Sequence, residues 1–187
     1  MKVLLGSESP RRKELLDKLG YSFETVKINC EEIYPQNLKP ENVAAYLSEL
    51  KSGSFRVLKE DEILITADTV VVINGEILGK PNSKEDAVLM LKKLSGKSHL
   101  VFTAITIKTS KKLITKSDVA KVYFDEINNA EIDHYINNYQ VLDKAGSYGV
   151  QDWLGMAKIK KIEGNFYTIM GFPTHLVYEM LENIMAG

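Results

Sequence analysis

A single cysteine, Cys30, stands in a chain of 187 residues, so no intrachain disulfide framework can form and no CxxC pair can hold a metal. The three histidines, His99, His134 and His175, are far apart and lack metal-ligand spacing. No apolar run approaches the roughly 20 residues that span a bilayer. The first run, Val3-Leu4-Leu5, is too short for a signal peptide and charged residues follow at once. Neither sign of charge prevails: 24 Lys and Arg face 25 Asp and Glu, for a net charge of −1. That balance argues against broad binding of nucleic acid or membrane through bulk charge. Lysines between Lys108 and Lys116 form a local basic patch, but no aromatic residues interleave them as stacking platforms, so a solvated hairpin face explains them better. No internal repeat, low-complexity segment or linker is evident. With 44% apolar and 26% charged residues, the chain can bury a real core. The expectation is one cytoplasmic domain covering residues 1–187, with room for two lobes.

The stretch around which the chain is organised is residues 1–20. Val3-Leu4-Leu5 ends at Gly6, and Ser7-Glu8-Ser9-Pro10-Arg11-Arg12 leads into a pattern with Leu15, Leu16 and Leu19 on one face, closed by Gly20. This reads as strand, tight loop, helix. Ser9 suits the N-cap, Pro10 the first helical position and Gly20 the left-handed residue after the helix. Arg11 and Arg12 oppose the helix macrodipole, by about 0.5 kcal/mol each at an exposed site. Either a bound anion offsets that cost or a well-packed helix tolerates two surface arginines. Backbone N–H groups, hydroxyls and guanidinium groups gathered at a helix start suit phosphate, though the loop lacks the GxxxxGK[ST] pattern.

Further along, Phe23 to Ile28 reads as a strand, and Glu31-Glu32 is either a solvated loop or a source of hard oxygen ligands for a divalent cation. Pro40 opens a helix to about Phe55, with Lys51 near its end, where a cation normally just complements the dipole. Glu62 to Val72 predicts a strand buried on both faces. Asp68 sits inside it, an expensive position unless the acid is paired, bound to metal or at a strand end. Asn74-Gly75 predicts a type I′ hairpin returning through Glu76–Leu78 to Gly79-Lys80-Pro81. Ser83 caps a helix that ends at Gly96. Two long strands follow, His99 to Ile107 and Leu113 to Phe124, then a helix from Asn129 to Tyr139. Asp143 to Gln151 is a loop punctuated by Gly146 and Gly149, a tight turn or a close approach to a ligand. Strands are expected at Ala157–Ile162 and Phe166–Met170, and a last helix carries Leu176, Val177, Met180, Leu181 and Ile184. Roughly five helices interleave with seven or more strands, an α/β fold with a mixed sheet.

Taken in order, Ser7-Glu8-Ser9-Pro10-Arg11-Arg12, Glu31-Glu32, Lys51, Ala67-Asp68-Thr69-Val70-Val71, Gly79-Lys80-Pro81, Leu94-Ser95-Gly96-Lys97-Ser98-His99, Lys144-Ala145-Gly146-Ser147-Tyr148-Gly149-Val150-Gln151 and Gly171-Phe172-Pro173 resemble the Maf family, the septum-formation-inhibitor-like nucleoside triphosphate pyrophosphatases. Each motif alone is weak; their order over the whole chain is specific. Gly6 stands where the family usually has alanine, Glu31 where Asp is common, and Phe172 where Leu is usual.

The resemblance implies an elongated α/β fold, with helices flanking a mixed sheet, two lobes around a cleft that holds the site, and kinship with inosine triphosphate pyrophosphatases (Maf/Ham1-like). It implies hydrolysis of a nucleoside triphosphate to monophosphate and pyrophosphate with a divalent cation, Mg²⁺ or Mn²⁺. Arg11, Thr69 and Gln151 match the specificity positions of the branch acting on dTTP and UTP; modified pyrimidine nucleotides stay open as substrates. Ser7, Ser9, Arg12, Lys51 and Lys80 would hold phosphates, Glu32 and Asp68 the metal, and Asp68 would also be the proton acceptor. The cellular role would be nucleotide-pool cleaning, division arrest, or both. Two other classes remain: a nucleotide-binding regulator of septum formation with incidental catalysis, and a nucleic-acid binder using Arg11, Arg12 and the lysine patch. No nucleic-acid or membrane partner is expected, and a homodimer is left open.

Overall fold

The computed structural model describes residues 1–186. The strands are β1 (Lys2–Leu5), β2 (Phe23–Thr25), β3 (Glu62–Ile73), β4 (Glu76–Leu78), β5 (Ser98–Lys108), β6 (Leu113–Phe124) and β7 (Ile159–Glu163). The helices are α1 (Pro10–Lys18), α2 (Pro40–Gly53), α3 (Lys84–Leu94), α4 (Asn129–Asn138), α5 (Trp153–Lys158), α6 (Phe166–Ile169) and α7 (Thr174–Met185), with a 3-10 turn at Ala145–Ser147. The seven strands form one mixed sheet in the order β2-β1-β3-β5-β6-β7, with β4 paired to β3 off that path. β1 runs parallel to both β2 and β3, with Leu4 opposite Glu24 on one side and Leu64 on the other. β4 and β7 pair antiparallel with β3 and β6.

Local chemistry accounts for most of these boundaries. β3 is buried along nearly its whole length, as a β-branched run without alternation demands. Asn74 and Gly75 both have positive φ, 51° and 79°, the type I′ geometry that matches strand twist. The Ser83 side chain accepts from the Asp86 N–H at the start of α3. Asn128 and Glu131 form a reciprocal capping box on α4.

Four expectations need correction. Ser9 occupies the N-cap position of α1, but its side chain makes no capping bond; its N–H donates instead to Ser7 Oγ at 3.2 Å. The strand expected over Phe23–Ile28 ends at Thr25. Trp153–Lys158 is a short helix, so the strand expected from Ala157 starts only at Ile159. Phe166–Ile169 is helical where a strand was expected. Asn165 accepts from the Tyr167 N–H and closes the turn, while Phe166 and Tyr167 stay 40% and 42% exposed rather than packing a sheet face. The short α5 and α6 bring the α-helices among the described residues to seven.

The chain divides into two compact units, and the boundary in β3 falls between Asp68 and Thr69. The first comprises Met1–Asp68, Thr103–Asp118 and the chain from Gly171 onward. In it Leu4, Leu58 and Leu64 pack with Val26, Ile28 and Phe55. The second comprises Thr69–Phe102 and Val119–Met170. Its core joins Val71 and Ile73 of β3, Leu91 and Leu94 of α3, Phe124 of β6, and Ile132 and Tyr135 of α4. Each fully buried aliphatic or aromatic side chain contributes about 1.5–3 kcal/mol of transfer free energy.

Candidate active site

In the first unit a helix and a strand are locked together so that two charges meet. Residues 66 and 68 share a face of β3, since side chains alternate along a strand. Ser48 and Lys51 share a face of α2, being three apart. The Thr66 hydroxyl donates to the Ser48 carbonyl at 2.8 Å, and the Ser48 hydroxyl lies 3.2 Å from the Thr66 carbonyl and 2.8 Å from Thr106 Oγ1. One turn further along α2, Lys51 Nζ reaches Asp68 Oδ1 at 2.5 Å. The same ammonium lies 3.1 Å from Glu32 Oε1. Asp68 is buried while Glu32 is half-exposed. Burial pushes the Asp68 carboxyl above its usual range, against the Lys51 and Arg12 charges, which favour the ionised form.

Arg12 lies beside this group. Its Nε donates to the Gly171 carbonyl at 2.9 Å and its Nη1 to the Ala67 carbonyl at 2.7 Å, with Ser7 Oγ at 3.5 Å. Two donors thus tie the start of α1 to the residue before Asp68 and to the loop before α7. Gly171 has φ 90°, the left-handed backbone that favours glycine there. Desolvation lowers the Arg12 pKa and the Asp68 charge opposes that shift. The carbonyl dipoles and Asp68 supply the negative partners that the macrodipole argument demanded. Because Ser9 makes no side-chain cap, it does not compete with an incoming anion for the first N–H groups of α1. Gly6 also has a reason: a Cβ there would run into the Ile28 side chain and lie 3.0 Å from Thr66 Cγ2, so Ile28 fills the space an alanine methyl would take.

Ser7, Arg12, Glu32, Lys51 and Asp68 are therefore brought together in the first unit, with Ser9 and Arg11 on the same helix start. Of the two adjacent acids, Glu32 is the one that meets Lys51. No cluster of three or more His, Cys, Asp or Glu residues suited to a metal exists among the described residues. The fit to a divalent cation rests on Glu32 and Asp68: two hard carboxylates already converge on one positive charge, and a triphosphate would bring further oxygens.

The second unit holds the remaining expected residues. Thr69 is half-buried in β3 and Lys80 stands exposed after β4. Gln151 ends the glycine loop, and its Nε2 donates to Asp152 Oδ1 at 3.2 Å. Asp152 Oδ2 accepts from the Tyr135 hydroxyl at 2.8 Å and lies 3.5 Å from Lys144 Nζ. The Gly149 N–H donates to the same tyrosine oxygen at 3.0 Å. Burial, then the bond to Asp152, pushes the Tyr135 hydroxyl far up, so it stays protonated. Sequence reasoning missed Ser48, Tyr135 and Asp152. The Ser48–Lys51 spacing was the available signal for the first; the other two are joined only by folding.

The family model described as Maf-like protein matches residues 2–184. The chain is 44% identical over 186 residues to a dTTP/UTP pyrophosphatase of Porphyromonas gingivalis, covering 97% of this chain and 94% of that protein. Proteins of the same name from Phocaeicola vulgatus and Bacteroides thetaiotaomicron are 42% and 41% identical, covering 98% and 97% of this chain and 96% and 95% of theirs. A solved Ham1 protein from Coxiella burnetii aligns with a TM-score of 0.44 at 11% identity, over 66% of this chain and 73% of that one. The chain belongs to the Maf family.

Proposed function

We propose that this protein is a nucleoside triphosphate pyrophosphatase acting on dTTP and UTP, releasing monophosphate and pyrophosphate. The relatives' shared name supports the substrate class. The observation that carries the chemistry is the convergence of Asp68 and Glu32 on the Lys51 ammonium.

In this reading the N–H groups at the start of α1, with Ser7, Ser9, Arg12, Lys51 and Lys80, bind phosphate oxygens. Asp68 accepts a proton from the water that attacks the α-phosphorus; the new P–O bond forms as the bond to the bridging oxygen breaks, and pyrophosphate leaves with that oxygen. The Lys51 charge favours the ionised form of Asp68, opposing the effect of burial. Glu32 and Asp68 would hold a divalent cation, Mg²⁺ or Mn²⁺, which would supply charge neutralisation and a lowered pKa for bound water. Cys30 takes no part, since the reaction needs no covalent intermediate.

Arg11, Thr69 and Gln151 are the proposed base readers. Arg supplies donors, Thr and Gln supply both donors and acceptors, and a pyrimidine edge with two carbonyls flanking one N–H matches such a set. Cytosine would leave polar groups unpaired. In the same reading the protein works on the cytoplasmic nucleotide pool. The experiment is a panel of canonical and modified triphosphates, assayed for monophosphate and pyrophosphate with Mg²⁺ and Mn²⁺. Release of diphosphate and orthophosphate would overturn the proposal, as would equal rates on all bases for the substrate assignment.

A further inference from the structure

Asp152 sits at the N-cap position of α5, with extended backbone at φ −83° and ψ 173°, yet its side chain makes no capping bond. Aspartate is among the best N-cap residues, so its carboxylate has been drawn elsewhere. Oδ1 accepts from Gln151 Nε2 at 3.2 Å, and Oδ2 accepts from Tyr135 at 2.8 Å with the Lys144 ammonium 3.5 Å away. Tyr135 and Lys144 are both buried and held by other partners: Tyr135 by the Gly149 N–H, Lys144 by Asp143 and the Gln140 carbonyl. A Cβ on Gly149 would lie 2.6 Å from Asp152 Oδ2 and 2.7 Å from Gln151 Nε2, so the loop closes on this pair only because residue 149 has no side chain.

These contacts decide the polarity of Gln151. A carboxylate only accepts hydrogen bonds, so the amide NH₂ must face Asp152 and the amide oxygen must face away. That oxygen, Gln151 Oε1, is buried and has no hydrogen-bond partner among the described residues. An unpaired buried acceptor is a standing cost that an incoming N–H would relieve. We propose that Asp152 is a positioning residue that fixes the Gln151 amide with its oxygen presented to the ligand, so that the site selects a pyrimidine carrying an N3–H over one whose N3 is itself an acceptor. The inference rests on the reading of Gln151 as a base reader. Thymine and uracil present that N–H; cytosine does not.

The test is Asp152→Asn in the full chain. Tyr135 and Lys144 donate toward the Oδ2 side and hold the asparagine oxygen there, so its NH₂ faces Gln151. The Gln151 amide then turns over and presents NH₂ where Oε1 stood. The expected result is a fall of at least about tenfold in the kcat/KM ratio of UTP to CTP, the size of one reversed hydrogen bond. The change should lie mainly in KM, with CTP improving in absolute terms. Calorimetric binding of UMP and CMP should move the same way. Asp152→Ser suits the α5 N-cap and removes the carboxylate; it should lower the ratio without a gain for CTP. Circular dichroism melts establish that each variant is folded. Folded variants that keep the parent ratio, or lose activity equally on both bases, overturn the positioning role. Gln151→Leu separates the two ideas. If it too keeps the ratio, the base-reading assignment fails; if it collapses the ratio while the Asp152 variants do not, the Asp152 inference alone fails.

Discussion

The Lys51 ammonium lies 2.5 Å from the Asp68 carboxylate, inside a helix–strand contact that the Ser48 and Thr66 hydroxyls hold in register. The charge pair is therefore set by α2 and β3 as rigid elements, not by a mobile loop. Glu32 joins from a loop and is more exposed, so it is the adjustable member of the group.

Asp68→Asn keeps the shape of the side chain and removes the proton acceptor. Turnover should fall by roughly 10²-fold or more, the usual size of a general-base contribution. Steady-state kinetics with pyrophosphate release as the readout check this, and near-normal turnover would remove Asp68 from its role. Lys51→Met should also cut activity, because it leaves Asp68 buried without the cation that favours its ionised form.

Chelation should abolish turnover, and Mg²⁺ or Mn²⁺ should restore it, since carboxylates and phosphate oxygens form a hard ligand set. Glu32→Gln should raise the metal concentration needed for half-maximal rate while leaving the preferred base unchanged. Full activity in excess EDTA would sink the Glu32/Asp68 assignment.

His99 gives the protein an acid-side weakness. It is 2% exposed, its Nε2 lies 2.7 Å from the Tyr148 hydroxyl, and its Nδ1 has no hydrogen-bond partner among the described residues. Burial pulls its pKa from 6.5 down to about 4, so the folded protein keeps the ring neutral. The unfolded chain takes up a proton below about pH 6.5 and the folded one does not. His99 stability is thus intact above that pH and is lost progressively as pH falls toward about 4, by about 3 kcal/mol at full extent. Urea unfolding at several pH values should show wild type losing more stability than His99→Gln between pH about 7 and about 4.5. Parallel curves for the two proteins would contradict this.

Gly155→Ala should destabilise the second unit. A Cβ at Gly155 would collide with the Val150 backbone carbonyl, which a side-chain rotation cannot relieve. The cost should be about 1–3 kcal/mol, as for overpacked interiors. The Gly149–Gln151 loop should move with it. The check is a thermal melt combined with the UTP-to-CTP rate ratio; an unchanged melting temperature would show that the contact relaxes freely.

Some features of this protein follow from local sequence. Ser83 and Asn74-Gly75 act through neighbours a few residues away, so their cap and hairpin were legible before any fold was known. The unbroken β-branched run of β3 likewise declared its burial, and Asp68 inside it declared a need for a partner. Which partner was decided by tertiary structure, because Lys51 is 17 residues away and reads locally as a dipole-friendly surface charge. Arg12 is satisfied by carbonyls at residues 67 and 171, distances along the chain over which no spacing rule applies. At Asp152, the N-cap position of α5, the Tyr135 hydroxyl, the Lys144 ammonium and the Gln151 amide take the carboxylate in place of a capping bond, an arrangement set by folding. Short segments such as Phe166–Ile169 are the limiting case, since four residues carry too little periodicity to separate helix from strand and the Asn165 side chain settles the matter.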